Sequence, residues 1–237
     1  MKIEIHSLLH NEILMLPYFV KHYSQFGNII FYESNSTDGS PEFAEALGCK
    51  VIKIAENNNE VDERIFTDLK NNCWKGSKAD WVIICDTDEF VYHPRLIELL
   101  ENSPYTMYQP REFLMYSREF PTTSGQIYDE IKHGTLGVSG FGKTNLFKPS
   151  EIQEINYNHG SHSCSPVGNI NLCPKTAIKT LHYHYPSVEY RINRNKYIAG
   201  RLSNINRVMG WGNHHTWSEN KVRYDFEQAM KRLIKVV

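Results

Sequence analysis

Apolar and polar positions alternate between two periods along the first hundred residues. Residues 2–9 carry apolar side chains in the pattern of a short strand, and Leu16, Phe19, Val20 and Tyr23 then recur at helical spacing until Gly27 ends the run. The same exchange continues, with strands expected at 28–33 and 50–55, a short helix at 41–47 with Pro41 in its first turn, and a helix within 61–76. Residues 81–85 (Trp-Val-Ile-Ile-Cys) form an unbroken apolar run, as a strand buried on both faces requires, and 94–102 reads as a further helix. Strands separated by helices predict an α/β, Rossmann-type, doubly wound and mostly parallel sheet, with its ligand cleft at the carboxyl ends of the strands.

Beyond about residue 105 the pattern breaks into shorter strand-like pieces at 106–108, 145–148 and 177–185, separated by Gly-, Ser- and Pro-containing loops. The longest irregular stretch, 121–142, is where an acceptor would bind, because long loops in compact domains are commonly functional. The last sixteen residues place Phe226, Met230, Leu233 and Ile234 at helical spacing with an excess of Lys and Arg. A helix over 222–237 is expected to dock its apolar stripe on the domain, with peripheral contact to an anionic membrane as the alternative.

Composition changes this picture little. With 22% charged residues and a formal net charge of −1, the chain has no bulk attraction for nucleic acid. Five scattered cysteines and a polar strand-like start after Met1 set the expectation of a cytoplasmic protein with free thiols. No run reaches the roughly 20 apolar residues needed to span a bilayer.

The chemistry concentrates in Asp86-Thr87-Asp88-Glu89-Phe90, directly after the buried strand. If the strand continues, residues two apart share a face about 6.6 Å apart, so Asp86 and Asp88 converge on one cation. Hard oxygen ligands favour Mn²⁺ or Mg²⁺, which also bridge phosphates. The alternative is a solvated turn whose acids cap the next helix.

The order of these features resembles family-2-like glycosyltransferases of the GT-A fold: His10-Asn11-Glu12 after the first strand, Glu33-Ser34-Asn35-Ser36-Thr37-Asp38-Gly39-Ser40 after the second, and Asp86-Thr87-Asp88-Glu89-Phe90 after the fourth. The resemblance implies a sugar transferred from a nucleotide diphosphate-sugar, a UDP-sugar foremost, to a glycan or lipid-linked acceptor, with inversion at the anomeric carbon. It also implies a metal role for Asp88, with Asp86 closer to the ribose and the metal's waters, and a nucleobase-facing acid at Glu33. His10, Glu12 and Asn35 fall in the matching donor-side segments, and Asn35 independently belongs to a polar turn able to line a cleft. Residues 1–104 are then the nucleotide-sugar lobe, and 105–237 an acceptor lobe with C-terminal helices in the same compact unit.

In the second half, strand alternation puts His182 and His184 on one face of Thr180-Leu181-His182-Tyr183-His184-Tyr185. His182 enters the metal set by resemblance and His184 by geometry; histidines on a half-buried strand are the alternative. A Gly-Ser-His loop carries His162 as a polar contact in the acceptor cleft. Glu112, Glu119, Asp129 and Glu130 are candidates for the catalytic base, with Asp129 and Glu130 in the expected region. Residues 137–144 match the phosphate-loop formula Gly-x4-Gly-Lys-Thr, but the preceding segment is polar and Pro149 cuts off the helix such a loop needs. Lys143 is retained as a phosphate or acceptor contact. Two other classes stay open, a P-loop-like nucleotide hydrolase and a non-catalytic carbohydrate- or nucleotide-binding module of the same fold.

Overall fold

The computed structural model describes residues 1–54, 59–137, 140 and 142–237. Its first half runs β1 (Ile3–Leu9), α1 (Leu16–Tyr23), β2 (Asn28–Glu33), α2 (Ser40–Ala46), β3 (Lys50–Lys53), α3 (Glu63–Asn72), β4 (Trp81–Ile84), β5 (Glu89–Tyr92) and α4 (Leu96–Glu101). The strand expected at 50–55 thus ends at Lys53, and its last position, Ala55, lies outside the described residues. The second half holds β6 (Met107–Tyr108), β7 (Arg111–Tyr116), α5 (Ile127–Glu130), β8 (His133–Leu136), β9 (Leu146–Phe147), β10 (Ile152–Glu154) and β11 (Val167–Gly168). It closes with β12 (Lys179–Tyr185), α6 (Val188–Arg201), α7 (Asn204–Met209), α8 (Glu219–Met230) and β13 (Ile234–Lys235).

The main sheet has six strands in the order β3-β2-β1-β4-β9-β6. Strands β3, β2, β1 and β4 are parallel, whereas β9 runs antiparallel to both β4 and β6. This is a mixed α/β architecture with a parallel-rich, Rossmann-like sheet. The chain winds outward from β1 to β3, then returns to place β4 on the other side of β1. That reversal of winding opens a crevice above the carboxyl ends of β1 and β4.

A second, five-stranded sheet, β13-β8-β7-β12-β5, is seeded by β5 directly after β4. Its strands mix directions, β12 being antiparallel to β5 and parallel to β7. The main sheet draws β6 and β9 from beyond residue 104, while the second takes β5 from before it. The core runs continuously between them: Phe19, Phe31, Trp81 and Ile83 on one side meet Phe90, Leu181 and Tyr183 on the other. All five cysteines are free. Among the described residues no helix is long and apolar enough to cross a membrane.

The expected helix over 222–237 is corrected at its C-terminal half. Helix α8 ends at Met230, and Ile234–Lys235 pairs with β8 while Val236 donates its N–H to the Lys132 carbonyl at 2.9 Å. The β-branched residues Ile234, Val236 and Val237 suit this strand better than a helix. Ile234 therefore leaves the docking stripe, in which Val222, Phe226 and Ala229 pack against Tyr116, Tyr185 and Ile192 with the expected Met230 and Leu233 partly buried beside them. Truncating this anchor should cost what a large core deletion costs: Phe226→Ala is expected to destabilise by about 3–5 kcal/mol. Tyr224→Ala, at a position 64% exposed on the same helix, should stay within about 0.5 kcal/mol in the same urea denaturation series.

Candidate active site

Strand β4 stops at Ile84, so Asp86 and Asp88 lie in a turn, not on an extended strand. The Glu89 N–H donates to the Asp86 carbonyl at 2.9 Å, and the Asp86 N–H donates to Glu89 Oε2 at 3.2 Å. The period-2 argument for convergence therefore fails here, because the chain must reverse to begin β5 in the other sheet. The two carboxylates meet different partners as a result.

Asp86 faces two ammonium groups. Lys70 Nζ on α3 is 2.7 Å from Oδ1 and Lys143 Nζ is 2.5 Å from Oδ2. Lys143, itself buried, also reaches Glu89 Oε1 at 2.8 Å. Burial alone would raise the Asp86 carboxyl, but Lys143 and Lys70 outweigh it and hold the group well below the usual carboxylate range.

Asp88 faces imidazoles. The Tyr183 N–H donates to the Asp88 carbonyl at 2.8 Å and so registers β12 beside the turn; His182 Nε2 lies 3.6 Å from Asp88 Oδ2. On its other nitrogen, His182 Nδ1 donates to Glu112 Oε1 at 2.9 Å. His184 stacks on His182 with ring centroids 4.5 Å apart. Burial opposes charge on both members of the Asp88–His182 pair, yet their mutual attraction prevails, lowering Asp88 to about 2 and raising His182 to about 10. Burial, reinforced by the nearby Arg191, keeps His184 neutral.

Ligand atoms of Asp88, His182 and His184 all lie within 4.8 Å of one another, and so do those of Glu89, Glu112 and His182. The second set already has its cations, since Lys143 sits on Glu89 and the His182 Nδ1 proton on Glu112. The first set fits a divalent ion. A carboxylate that orients a histidine through Nδ1 and leaves Nε2 free is the outer-shell arrangement of many protein metal sites, and here Glu112 supplies it.

Beside these groups a cavity of about 670 Å³ fills the crevice above β1 and β4. Asp86, Lys70 and Arg194 line its polar end, and Phe66, Tyr190 and Ile198 its apolar wall. Glu12 is on this wall, buried and paired with Arg194 Nη1 at 2.5 Å; burial, opposed by Arg194, pushes its carboxyl up to about 7. His10 is there too, bonded through Nδ1 to the Ser34 carbonyl, with Nε2 2.6 Å from the Tyr197 hydroxyl.

Other expected site residues fall elsewhere. Glu33 is buried and accepts the Ser36 N–H at 2.5 Å, which closes the turn after β2, and neither Glu33 nor Asn35, held at φ 53°, is on the cavity wall. Asp129 Oδ2 accepts the Gln126 N–H at 2.7 Å and Glu130 Oε2 the Thr122 N–H at 3.2 Å, so both carboxylates serve a local turn away from the cavity. His162 is exposed, close enough to Glu112 to help lower its carboxyl after His182 has overcome the effect of burial.

Of the phosphate-loop match, Val138, Ser139 and Phe141 lie outside the described residues. Lys143 and Thr144 lead into the short strand β9, not into a helix. A Cβ on Gly137 would come within 2.5 Å of Glu112 Oε2, so this glycine is explained by close approach to β7.

Lys70 was not singled out from the sequence. Lys70 shares a face of α3 with buried Thr67, three positions earlier, which is the signal that it points inward.

No protein-family model and no curated protein matches the chain. Among solved structures, it is similar to glucosyl-3-phosphoglycerate synthase from Mycobacterium tuberculosis in complex with Mn²⁺, UDP and glucosyl-3-phosphoglycerate, at a TM-score of 0.35 and 15% identity over 47% of this chain and 44% of that one. The same synthase with Mn²⁺, UDP-glucose and phosphoglyceric acid gives 0.35 and 16% over the same shares. A further mycobacterial protein gives 0.34 and 17%, over 54% of this chain and 44% of that one. The match thus spans less than half the length of each of these chains.

The charge arrangement has two measurable consequences. Lys143→Met leaves Glu89, 1% exposed, without its ammonium, and is expected to destabilise by about 3–5 kcal/mol in chemical denaturation. In chelator, the stabilisation from the Asp88–His182 pair should be full below the unfolded histidine value of about 6.5 and be lost as pH rises through about 10. Denaturation midpoints between pH 6.5 and 10 should fall in the wild type, and His182→Gln should flatten that decline.

Proposed function

We propose that the protein is a metal-dependent glycosyltransferase that moves a sugar from a nucleoside diphosphate donor to a hydroxyl acceptor. The observation that carries this reading is the placement of Asp88, His182 and His184 beside the cavity at the carboxyl edge of the parallel strands. Those three residues would hold the ion. One carboxylate with two imidazoles suits Mn²⁺ better than Mg²⁺, which prefers an all-oxygen shell. When bound, the ion would neutralise charge on the donor's diphosphate.

The chain's own groups prepare for such a donor. Lys70, ion-paired to Asp86 at the polar end of the cavity, offers an ammonium that a phosphate can share. The apolar wall with Phe66 and Tyr190 provides a surface for a nucleobase, with a UDP-sugar the first donor to test. Arg194, fixed by Glu12, is a further cation on the cavity wall. Glu112 holds His182 in the orientation that leaves Nε2 toward Asp88. Inversion at the anomeric carbon belongs to the same reading, and proton NMR of the product reads it directly.

Asp88→Asn removes the one negative ligand with little change of shape. It is expected to weaken Mn²⁺-dependent UDP binding at least tenfold in calorimetry and to abolish sugar transfer, while the chelated protein stays folded. UDP binding of unchanged strength in excess chelator, or in Asp88→Asn, would refute the proposal.

A further inference from the structure

Helix α7 has its amphipathic pattern reversed. Its buried residue is Asn206, 0% exposed, whose Oδ1 accepts the Glu63 N–H at 3.2 Å, whereas Val208 and Met209 are 72% and 54% exposed. A helix facing water ordinarily turns its apolar side chains inward and its amides outward. Val208 is the most exposed large apolar side chain among the described residues. The helix is closed at both ends: Ser203 Oγ accepts the Asn206 N–H at 3.2 Å, and Gly210, at φ 74°, follows Met209 and donates its N–H to the Arg207 carbonyl at 3.4 Å. Two neighbouring apolar side chains are therefore held outward by a capped turn.

The charge around this tip is of one sign. Between Glu189 and Glu219 the chain carries five Lys and Arg and no Asp or Glu, in a protein of formal net charge −1. Arg194 and Lys196 of that stretch are matched by Glu12 and Glu219. Arg207, exposed and next to Val208, has no carboxylate among the described residues; its guanidinium bonds the carbonyls of Leu202 at 3.1 Å and Ala199 at 2.7 Å. Two indoles follow, the half-buried Trp211 and Trp217, which is 45% exposed with Lys221 Nζ 4.7 Å from the centre of its ring. Projecting aliphatic side chains beside Arg, Lys and Trp are the composition of a segment at a membrane–water boundary. A second copy of the chain fits this face less well, because a two-fold contact would bring two patches of the same positive charge together. Neither Val208 nor Met209 is on the wall of the large cavity.

We propose that the tip of α7, Val208 and Met209 with Arg207 beside them, is a peripheral membrane contact that enters the interface of an anionic phospholipid bilayer. The two aliphatic side chains supply the apolar area, and the guanidinium meets the lipid phosphates. The contact goes beyond the transferase reading and does not depend on it. It also differs in place from the C-terminal segment, whose apolar residues are spent on docking α8 and on pairing with β8.

The test is co-sedimentation of the full chain with phosphatidylcholine vesicles, with and without phosphatidylglycerol, in excess chelator and without nucleotide. Binding to the phosphatidylglycerol vesicles is expected, and it should weaken at least tenfold in the double variant Val208→Asn with Met209→Gln. Arg207→Gln should lower the dependence of binding on salt. Tyr224→Asn, which removes a side chain 64% exposed on α8, should bind as the wild type does. No sedimentation with the phosphatidylglycerol vesicles, or equal binding by the double variant, would overturn the contact. Concentration-dependent dimerisation without lipid, lost in the double variant and accompanied by no vesicle binding, would assign the face to a second copy and overturn it as well. If the double variant does not fold, the isosteric Val208→Thr replaces it: weaker vesicle binding supports the contact and unchanged binding refutes it. Because neither donor nor ion is present in the assay, its outcome is separate from that of UDP binding.

Discussion

The buried ammonium of Lys143 is the contact on which the seam between the two sheets depends. The chain leaves the main sheet at Ile84 and enters the second at Glu89, and in that short reversal it sets down Asp86, Asp88 and Glu89. Three carboxylates so close, two of them nearly excluded from water, would repel one another strongly at low effective dielectric. Lys143 answers two of them at once, and it arrives from the connection between β8 and β9, one strand from each sheet. The contact is therefore topological as well as electrostatic: it fastens the segment joining the sheets in the second half to the segment joining them in the first.

That neutralisation decides which acid is left for chemistry. With Asp86 shared between Lys70 and Lys143, and Glu89 also taken, Asp88 is the acid whose partner can be exchanged. Its partner is the proton on His182 Nε2, and a divalent ion competes for the same electron pair. Glu112 would stay bonded to Nδ1 in either state, so the ring keeps its orientation whichever cation is present. In the reading proposed above, an ion would take the place of the His182 proton at Asp88.

Much of this was legible in the sequence because it arises from periodicity. The unbroken apolar run before Asp86 marked β4, and the alternation around His182 and His184 put both rings on one face, since both signals are local to a strand. The divergence of Asp86 from Asp88 was not legible, because it depends on β5 belonging to another sheet, a fact of tertiary pairing. The roles of Lys70 and Glu112 were hidden for the same reason, each acting across elements 16 and 70 positions from its partner. The phosphate-loop formula was set aside on its sequence context, and Gly137 within it answers to the close approach of Glu112, a neighbour that a short glycine motif does not reveal.

Helix α6 gives the site its remaining rigidity. Its first turn carries Arg191 over Tyr185 and packs Ile192 into the cluster that holds α8. Its middle ties Arg194 to Glu12 after β1, and its last turn brings Tyr197 to His10 and accepts the Val61 N–H at the Arg201 carbonyl, 2.7 Å away. Fourteen residues of helix, roughly 21 Å at 1.5 Å per residue, thus span from the seam between the sheets to the far wall of the cavity. These contacts reach α8, the loops after β1 and β3 at the carboxyl edge of the main sheet, and the strand that bears the histidines. Loops that would move independently are thereby referred to one rod, and in the transfer proposed above fixed donors of this kind would stabilise developing charge without the cost of reorganising water. The buried polar groups that make the helix expensive to dock are the same ones that set the geometry of the cavity, which is the compromise expected where stability and function draw on the same residues.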